Sequence, residues 1–222
     1  MMMELQQDEV IVDPEKIHPH LVVVDRPTPS LPFEKIIHQT WKSKHLPKEW
    51  RPSQKAWKQL HPGWKYMLHT DKEMRRLIKK NYPQCLTTYD AYPDTIQRVD
   101  MWRVAALHHW SGVYCDLDQE PLYNVESMFQ GTNCDAYFAS TSFALVTNSF
   151  MAGKKGAAIW LAILDEMVNC AQNKEYSMLN RHFRILATTG PWCVTRVISQ
   201  YEEGVLGLLP STFNPHEWST EE

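Results

Sequence analysis

Residues 94–122 read DTIQRVDMWRVAALHHWSGVYCDLDQEPL, and the period of the pattern changes once along that stretch. From Asp94 to Trp110, the residues Ile96, Val99, Trp102 or Arg103, Ala106 and Trp110 recur at i, i+3 and i+4 spacing, which predicts a helix. Gly112 ends it. Val113-Tyr114-Cys115 is then a short apolar strand that delivers Asp116-Leu117-Asp118 at its C-terminal end. Ligands of an open α/β sheet bind at that end of the strands. A helix feeding a short buried strand that finishes in acids is the unit of an α/β fold.

The flanking sequence repeats that rhythm. Lys35–Gln39 is a β-rich run, and Pro47–Leu60 carries Trp50, Ala56, Trp57 and Leu60 at helical spacing before a His-Pro-Gly stop. Trp64–His69 alternates like a strand, Thr70-Asp71 supplies a helix N-cap, and Glu73–Lys80 continues as a helix with Met74, Leu77 and Ile78 inward. Downstream, Phe143–Thr147 reads as a strand and Ala157–Cys170 as an amphipathic helix. A last helix, Trp192–Tyr201, follows Thr189-Gly190-Pro191. The succession predicts a mainly parallel sheet flanked by helices in a single domain. Residues 1–32, proline-rich after Leu21–Val24, read as an N-terminal extension or linker, and residues 33–222 as the domain.

Composition narrows the function classes. With 43% hydrophobic and 22% charged residues over 222 positions, the chain is expected to fold around one core. Its net charge of −3 provides no basic field for a polyanion, so nucleic acid is not the expected ligand. Five cysteines without a C-x-x-C pair encode no zinc knuckle and no dense disulfide scaffold. The N-terminus MMMELQQDEV has neither the basic start nor the apolar stretch of a secretory signal, and no run reaches the roughly 20 apolar residues of a membrane helix. As written, the chain reads as cytosolic with no transmembrane segment.

The chemistry concentrates in two places. Side chains at i and i+2 of an extended segment share a face, so Asp116 and Asp118 can present two carboxylates together. Paired carboxylate oxygens suit Mg²⁺ or Mn²⁺, and such ions keep open positions for phosphate oxygens. A diphosphate ligand fits. Asp100 and Arg103, three apart on the helix that leads into this strand, share a face and are expected to wall the same pocket. Other site patterns are absent: the EF-hand loop, H-E-x-x-H, the Walker loop, G-x-G-x-x-G and G-x-S-x-G do not occur.

The block from Arg98 to Leu122 closely resembles the D-x-D core of the family 32 glycosyltransferases, which include fungal initiating α-1,6-mannosyltransferases and inositol-phosphoceramide mannosyltransferases. Lys35-Ile-Ile-His-Gln-Thr-Trp41, Pro62-Gly-Trp-Lys-Tyr66, Asn148-Ser-Phe-Met-Ala152 and Thr189-Gly-Pro191 resemble further landmarks of that family, in order. Together they cover about residues 33–216. The resemblance implies a GT-A fold, a nucleotide-diphosphate sugar donor (GDP- or UDP-hexose), a Mn²⁺ or Mg²⁺ ion, and transfer with retention to a glycan, glycolipid or protein acceptor. It also implies a Golgi-lumen setting if an anchor has been trimmed.

Position by position, the resemblance implies that Asp100 and Arg103 contact the donor sugar, as the matching pair does in the large clostridial glucosylating toxins. Asp118 would bind the metal directly, with Asp116 on ribose or sugar and, through water, on the metal. Trp41 would flank the base, Asn148 would reach the sugar or diphosphate, and His216 would complete metal coordination. Ser111 departs from the family's Gly-Gly pair, a change expected to matter little. Arg103, or a lysine such as Lys154 or Lys155, is expected to offset charge on the departing diphosphate.

Two rival readings remain at this stage. A phosphohydrolase of the haloacid-dehalogenase style would use Asp116 as nucleophile and Asp118 as acid, but Glu120 stands where that style has Thr or Val. A carbohydrate-binding module without catalysis would use some of the nine Trp and nine Tyr, most of which lie on predicted core faces.

Overall fold

The computed structural model describes residues 31–140, 145–201 and 206–209. The proposed extension up to Ser30 and the candidate ligand His216 lie outside the described residues. Six strands form one sheet: β1 (Ile36–Thr40), β2 (Lys65–His69), β3 (Gly112–Cys115), β4 (Ala136–Ser140), β5 (Val146–Gly153) and β6 (Leu206–Leu209), in the order β2-β1-β3-β5-β4-β6. Among the described residues eight α-helices accompany them: α1 (Arg51–Leu60), α2 (Asp71–Asn81), α3 (Pro83–Ala91), α4 (Thr95–Trp110), α5 (Ala158–Gln172), α6 (Lys174–Ser177), α7 (Arg181–Thr188) and α8 (Pro191–Ile198).

Both faces of the sheet are covered, and the period-two alternation of side chains shows it. On β3, Val113 and Cys115 join a core with Trp57 of α1 and Phe33, whereas Tyr114 between them joins a larger core built by α2, α3, α4, α5 and α8. On β5, Phe150 and Ala152 take the first side and Met151 the second. A strand buried on both faces loses the polar alternation that marks a half-exposed one. That is why β4, with the sequence AYFAS, gave no strand signal.

The expected α/β architecture is present, with one departure in strand direction. β1 pairs parallel with β2 and β3, and β4 with β6, but β5 runs antiparallel to both β3 and β4, so the sheet is mixed. Its pairing sets Gly153 beside Gly112 and Phe150 beside Cys115. Lys154 therefore follows the end of β5 remote from Asp116, where its ammonium binds Asp135 at 2.8 Å and the Asn133 carbonyl at 3.0 Å. The expectation that Lys154 or Lys155 faces a diphosphate is overturned by this topology.

Most local readings match. Thr70 caps α2 in a capping box, with Glu73 N–H donating to Thr70 Oγ1 and Thr70 N–H to Glu73 Oε2. α4 begins after Asp94 as read, and α8 ends at Ile198, before the expected Tyr201. The strand read at Phe143–Thr147 begins at Val146, and residues 141–144 lie outside the described set. α3, α6 and α7 were not read from the sequence.

Ser111 matters more than its place in the motif suggested. It adopts φ +69° with ψ −179°, a region strained for any residue with a Cβ. Its hydroxyl donates to the Gly153 carbonyl at 2.8 Å and accepts from Glu34 N–H at 3.2 Å. These bonds tie the start of β3 to its neighbours. Gly112 beside it is required outright, because a Cβ there would stand 2.4 Å from the Ile36 carbonyl oxygen.

Candidate functional site

The C-terminal ends of β1, β2 and β3 open on a cleft of about 350 Å³, walled by Thr40, Trp41, Trp50, Met74, Thr95, Val99, Asp116 and Asp118 among others. β3 stops at Cys115 and the chain turns, with Gln119 N–H donating to the Asp116 carbonyl at 3.2 Å. The two acids thus share a cleft through a turn and not through extended alternation. Leu117 is buried between them, Asp116 is half-buried and Asp118 is exposed.

The turn is held on every side. Asp116 N–H donates to the Ser149 carbonyl at 2.9 Å, and Gln39 Nε2 donates to the Asp116 carbonyl at 3.2 Å. The Gln119 carbonyl accepts from Ser53 Oγ at 2.9 Å and from Trp57 Nε1 at 2.8 Å, both on α1. Gln119 Nε2 donates to Ser149 Oγ at 2.8 Å. Sequence reasoning placed Trp57 in the core and did not single out Gln39, Ser53 or Gln119, since nothing along the chain connects them to this turn.

Behind Asp116 lies a buried charged cluster. Arg103 of α4 is 1% exposed, and its Nη2 sits 3.1 Å from Asp100 Oδ1 and 3.3 Å from Asp116 Oδ1. Its guanidinium stacks over the Tyr114 ring at 4.6 Å, and Nη1 donates to the Asn148 carbonyl at 2.5 Å. Tyr114 Oη donates to Asp116 Oδ1 at 2.5 Å. The i, i+2 spacing of Tyr114 and Asp116 could have flagged that pair from the sequence. Asp100 accepts from Asn148 Nδ2 at 3.0 Å and from Thr189 Oγ1 at 2.7 Å.

These contacts revise several site expectations. Asp100 and Arg103 do converge on Asp116, but both are buried beneath it instead of forming the cleft wall. Asn148 directs its amide to Asp100 and the Thr189 carbonyl. It reaches this position where β5 breaks register with β4, between the pairs Phe138–Met151 and Ala139–Thr147, an irregularity of the kind that re-aims side chains near sites. Trp41 lines the cleft. Its Nε1 is buried with no hydrogen-bond partner among the described residues.

Electrostatics distinguish the members. Burial pushes the Asp100 carboxyl up to about 6, partly offset by Arg103, Thr189 and Asn148. Burial also raises Asp116, with Arg103 and Tyr114 opposing and Asp118 adding to the rise. Burial alone would lower the Arg103 guanidinium, yet Asp116, Asp100 and Asp118 hold it above its ordinary value. With all groups ionised, three carboxylates and one guanidinium leave a charge of −2, which a divalent cation would neutralise.

The donor set fits such an ion. Asp118 makes no hydrogen bond or ion pair with any described residue, and it is exposed and lines the cleft beside Asp116. Among the described residues no cluster of three His, Cys, Asp or Glu side chains forms a metal cage. Two carboxylates with the remaining positions open is the arrangement Mg²⁺ and Mn²⁺ adopt around phosphate ligands.

Comparison with known proteins points the same way. Residues 47–135 match the family model described as a glycosyltransferase sugar-binding region containing a DXD motif. Inositol phosphoceramide mannosyltransferase 3 of Schizosaccharomyces pombe is 32% identical over 174 residues, covering 78% of this chain and 47% of that protein. A mannosyl phosphorylinositol ceramide synthase of Saccharomyces cerevisiae is 29% identical over 200 residues, covering 87% of this chain and 50% of that protein. The chain thus spans about half the length of these curated relatives. Among solved structures, PaToxG glycosyltransferase aligns with a TM-score of 0.58 at 17% identity, covering 76% of this chain and 69% of that one. The UDP-bound glycosyltransferase domain of the YGT toxin aligns at 0.51 and 11%, covering 79% of each chain. At those identities the likeness is one of fold.

Proposed function

We propose, on the premise that this chain belongs to the glycosyltransferases with a DXD sugar-binding region, that it moves a hexose from a nucleotide-diphosphate sugar to a glycan, glycolipid or protein acceptor with retention of configuration. The observation that carries this is the joint between Asp118, exposed in the cleft, and Asp116, anchored from behind by buried Arg103. Asp118 and Asp116 would hold Mn²⁺ or Mg²⁺, which when bound supplies positive charge for the diphosphate leaving group.

The chain's own residues do the rest. Arg103, kept charged and buried, fixes the Asp116 carboxylate and adds positive potential in a region of low dielectric. Asp100, fully hydrogen-bonded by Arg103, Asn148 and Thr189, sets the orientation of that arginine. The Trp41 indole lines the cleft where a nucleoside would extend from the diphosphate. Of the carboxylates that line the cleft among the described residues, Asp116 is engaged with Arg103, Asp118 is left for the ion and Asp71 sits in the first turn of α2, so we favour attack by the acceptor hydroxyl within the donor complex. Positioning of donor and acceptor then supplies much of the rate.

The test is thermal unfolding with Mn²⁺ against UDP- and GDP-sugars, in wild type and Asp118→Asn. A ligand that binds the native state raises the midpoint. The expected outcome is a metal-dependent rise for one donor, absent in the variant, whose midpoint without ligand is unchanged. A variant that retains both the rise and full transfer would remove Asp118 from the metal site. No rise with any donor would remove the donor reading.

A further inference from the structure

Four large apolar side chains are exposed within residues 178–192, away from both cores. Met178 is 80% exposed, Leu179 36%, Phe183 43% and Trp192 38%. They span the turn after α6, the outer side of α7 and the first turn of α8. Phe183 and Trp192 stack on each other with centroids 5.7 Å apart and planes at 25°, so the aromatic pair is preformed at the surface. Beneath them, the α7–α8 packing buries Ala187, Val194 and Val197. The exposed residues are therefore not the misplaced edge of the core.

The charge around this apolar group differs from the rest of the chain. Residues 174–192 contain Lys174, Arg181 and Arg184 against Glu175, a balance of 3 − 1 = +2, which Asp94, bound by both arginines, reduces locally to +1, with His182 in addition. The whole chain carries −3, so the remaining residues carry −3 − 2 = −5. Arg181 remains 71% exposed although its Nε binds Asp94 at 2.6 Å, and Lys174 is exposed. An apolar tip of Trp, Phe, Leu and Met inside a cationic collar is the composition that lies in the boundary layer of a bilayer. A symmetric contact between two copies would set positive collar against positive collar, which disfavours self-association as the use of this face.

We propose that the α6–α7–α8 face docks the protein on an anionic lipid surface, with Phe183, Trp192, Met178 and Leu179 entering the headgroup boundary and Lys174 and Arg181 meeting lipid phosphates or carboxylates. The orientation follows from one joint. Arg181 and Arg184 both bind Asp94, at 2.6 and 3.1 Å, and Asp94 is the N-cap of α4, whose Thr95, Ile96 and Val99 wall the cleft. Docking by this face brings that wall of the cleft towards the membrane. No helix among the described residues is long and apolar enough to cross a bilayer, so the contact is one of surface adsorption. The inference rests on this face alone and does not depend on the nature of the donor.

The test is co-sedimentation of the full chain with vesicles of phosphatidylcholine alone and of two parts phosphatidylcholine to one part phosphatidylserine. Binding is expected to the mixed vesicles, to weaken with added salt, and to fall about tenfold in Phe183→Ser/Trp192→Ser, as loss of two interfacial aromatics would require. Metal-dependent donor binding should be unchanged in that variant. Lys174→Glu/Met178→Ser alters two solvated positions, so a matching loss there separates lost docking from lost folding. Absence of vesicle binding, equal binding to both compositions, or wild-type binding by both variants would overturn the proposal. So would a dimer in light scattering that Phe183→Ser/Trp192→Ser dissolves, since the face would then serve a second copy. Failure of donor binding with vesicle binding intact would count against the transferase reading alone.

Discussion

Two buried polar clusters lie side by side on the same face of the sheet, joined by the register pair His38–Tyr114. In one, His38 and His69 approach at 3.1 Å and stack against Trp110, and His38 Nε2 meets the Ser111 carbonyl at 2.9 Å. In the other, Arg103 joins Asp100 and Asp116. Burial is nearly equal, but the first cluster is neutral and complete within itself. A carbonyl can only accept, so His38 Nε2 carries the proton, and His38 Nδ1 accepts from His69 Nε2–H. The second cluster retains net negative charge and ends at an exposed carboxylate. Burial of polar groups does not mark a site; unneutralised charge that reaches a cleft does.

The largest break in that comparison is expected at Arg103. Arg103→Met leaves Asp100 and Asp116 buried without their cation, which should destabilise the fold by about 3–5 kcal/mol in denaturant titration. Loss under 1 kcal/mol would mean that the cluster is hydrated. Next comes the histidine pair under acid. Burial lowers His38 to about 4, and burial together with His38 lowers His69 to about 3, from an ordinary 6.5. The unfolded chain then binds protons that the fold refuses, so the histidines' contribution to stability should be flat above pH 6.5 and fall below it towards pH 4, opposed in part by the raised Asp100 carboxyl. The slope is at most about 1.4 kcal/mol per pH unit for each histidine. His38→Gln should flatten that dependence, and an unchanged profile would reassign it.

Smaller effects sharpen the contrast. Thr189→Val removes the hydroxyl that donates to Asp100 Oδ2 and should lower stability by about 1.5–3 kcal/mol, the range for a hydrogen bond to a charged group. A Trp57→Phe/Ser53→Ala pair strips both donors from the Gln119 carbonyl. It should lower Mn²⁺ affinity in a calorimetric titration by several-fold, with about 1–2 kcal/mol of stability lost. Unchanged Mn²⁺ affinity would show that the turn holds its shape without α1. The smallest shift is expected at Ser111→Gly, where relief of backbone strain and loss of two hydrogen bonds nearly cancel, within about 1 kcal/mol by thermal unfolding.

Much of the fold was legible in the chain because its signals are local. The periodicity of residues 94–110, the Thr70 cap and the Gly112 stop each act within one turn of helix. Elements whose signal depends on partners were missed. β4 is buried on both faces and so shows no alternation, and α7 keeps Phe183 at the surface, where a core pattern would not place it. The site divides in the same way. Asp116, Asp118, Asp100 and Arg103 were named from the sequence, whereas Gln39, Ser53 and Gln119 were not.

The sequence by itself determined the α/β rhythm, the acidic end of β3, the Asp100–Arg103 pair and the family resemblance. Only the tertiary structure decided that β5 runs against its neighbours, that Lys154 lies at the far end of the sheet, that Asn148 serves Asp100, and that Asp118 is exposed while Asp116 is anchored. The physical reason is range. Helix periods and caps arise from hydrogen bonds a few residues apart, while strand direction and the burial of each carboxylate depend on what packs against it from far along the chain, 89 residues away in the Thr189–Asp100 bond and 48 in the Asn148–Asp100 bond.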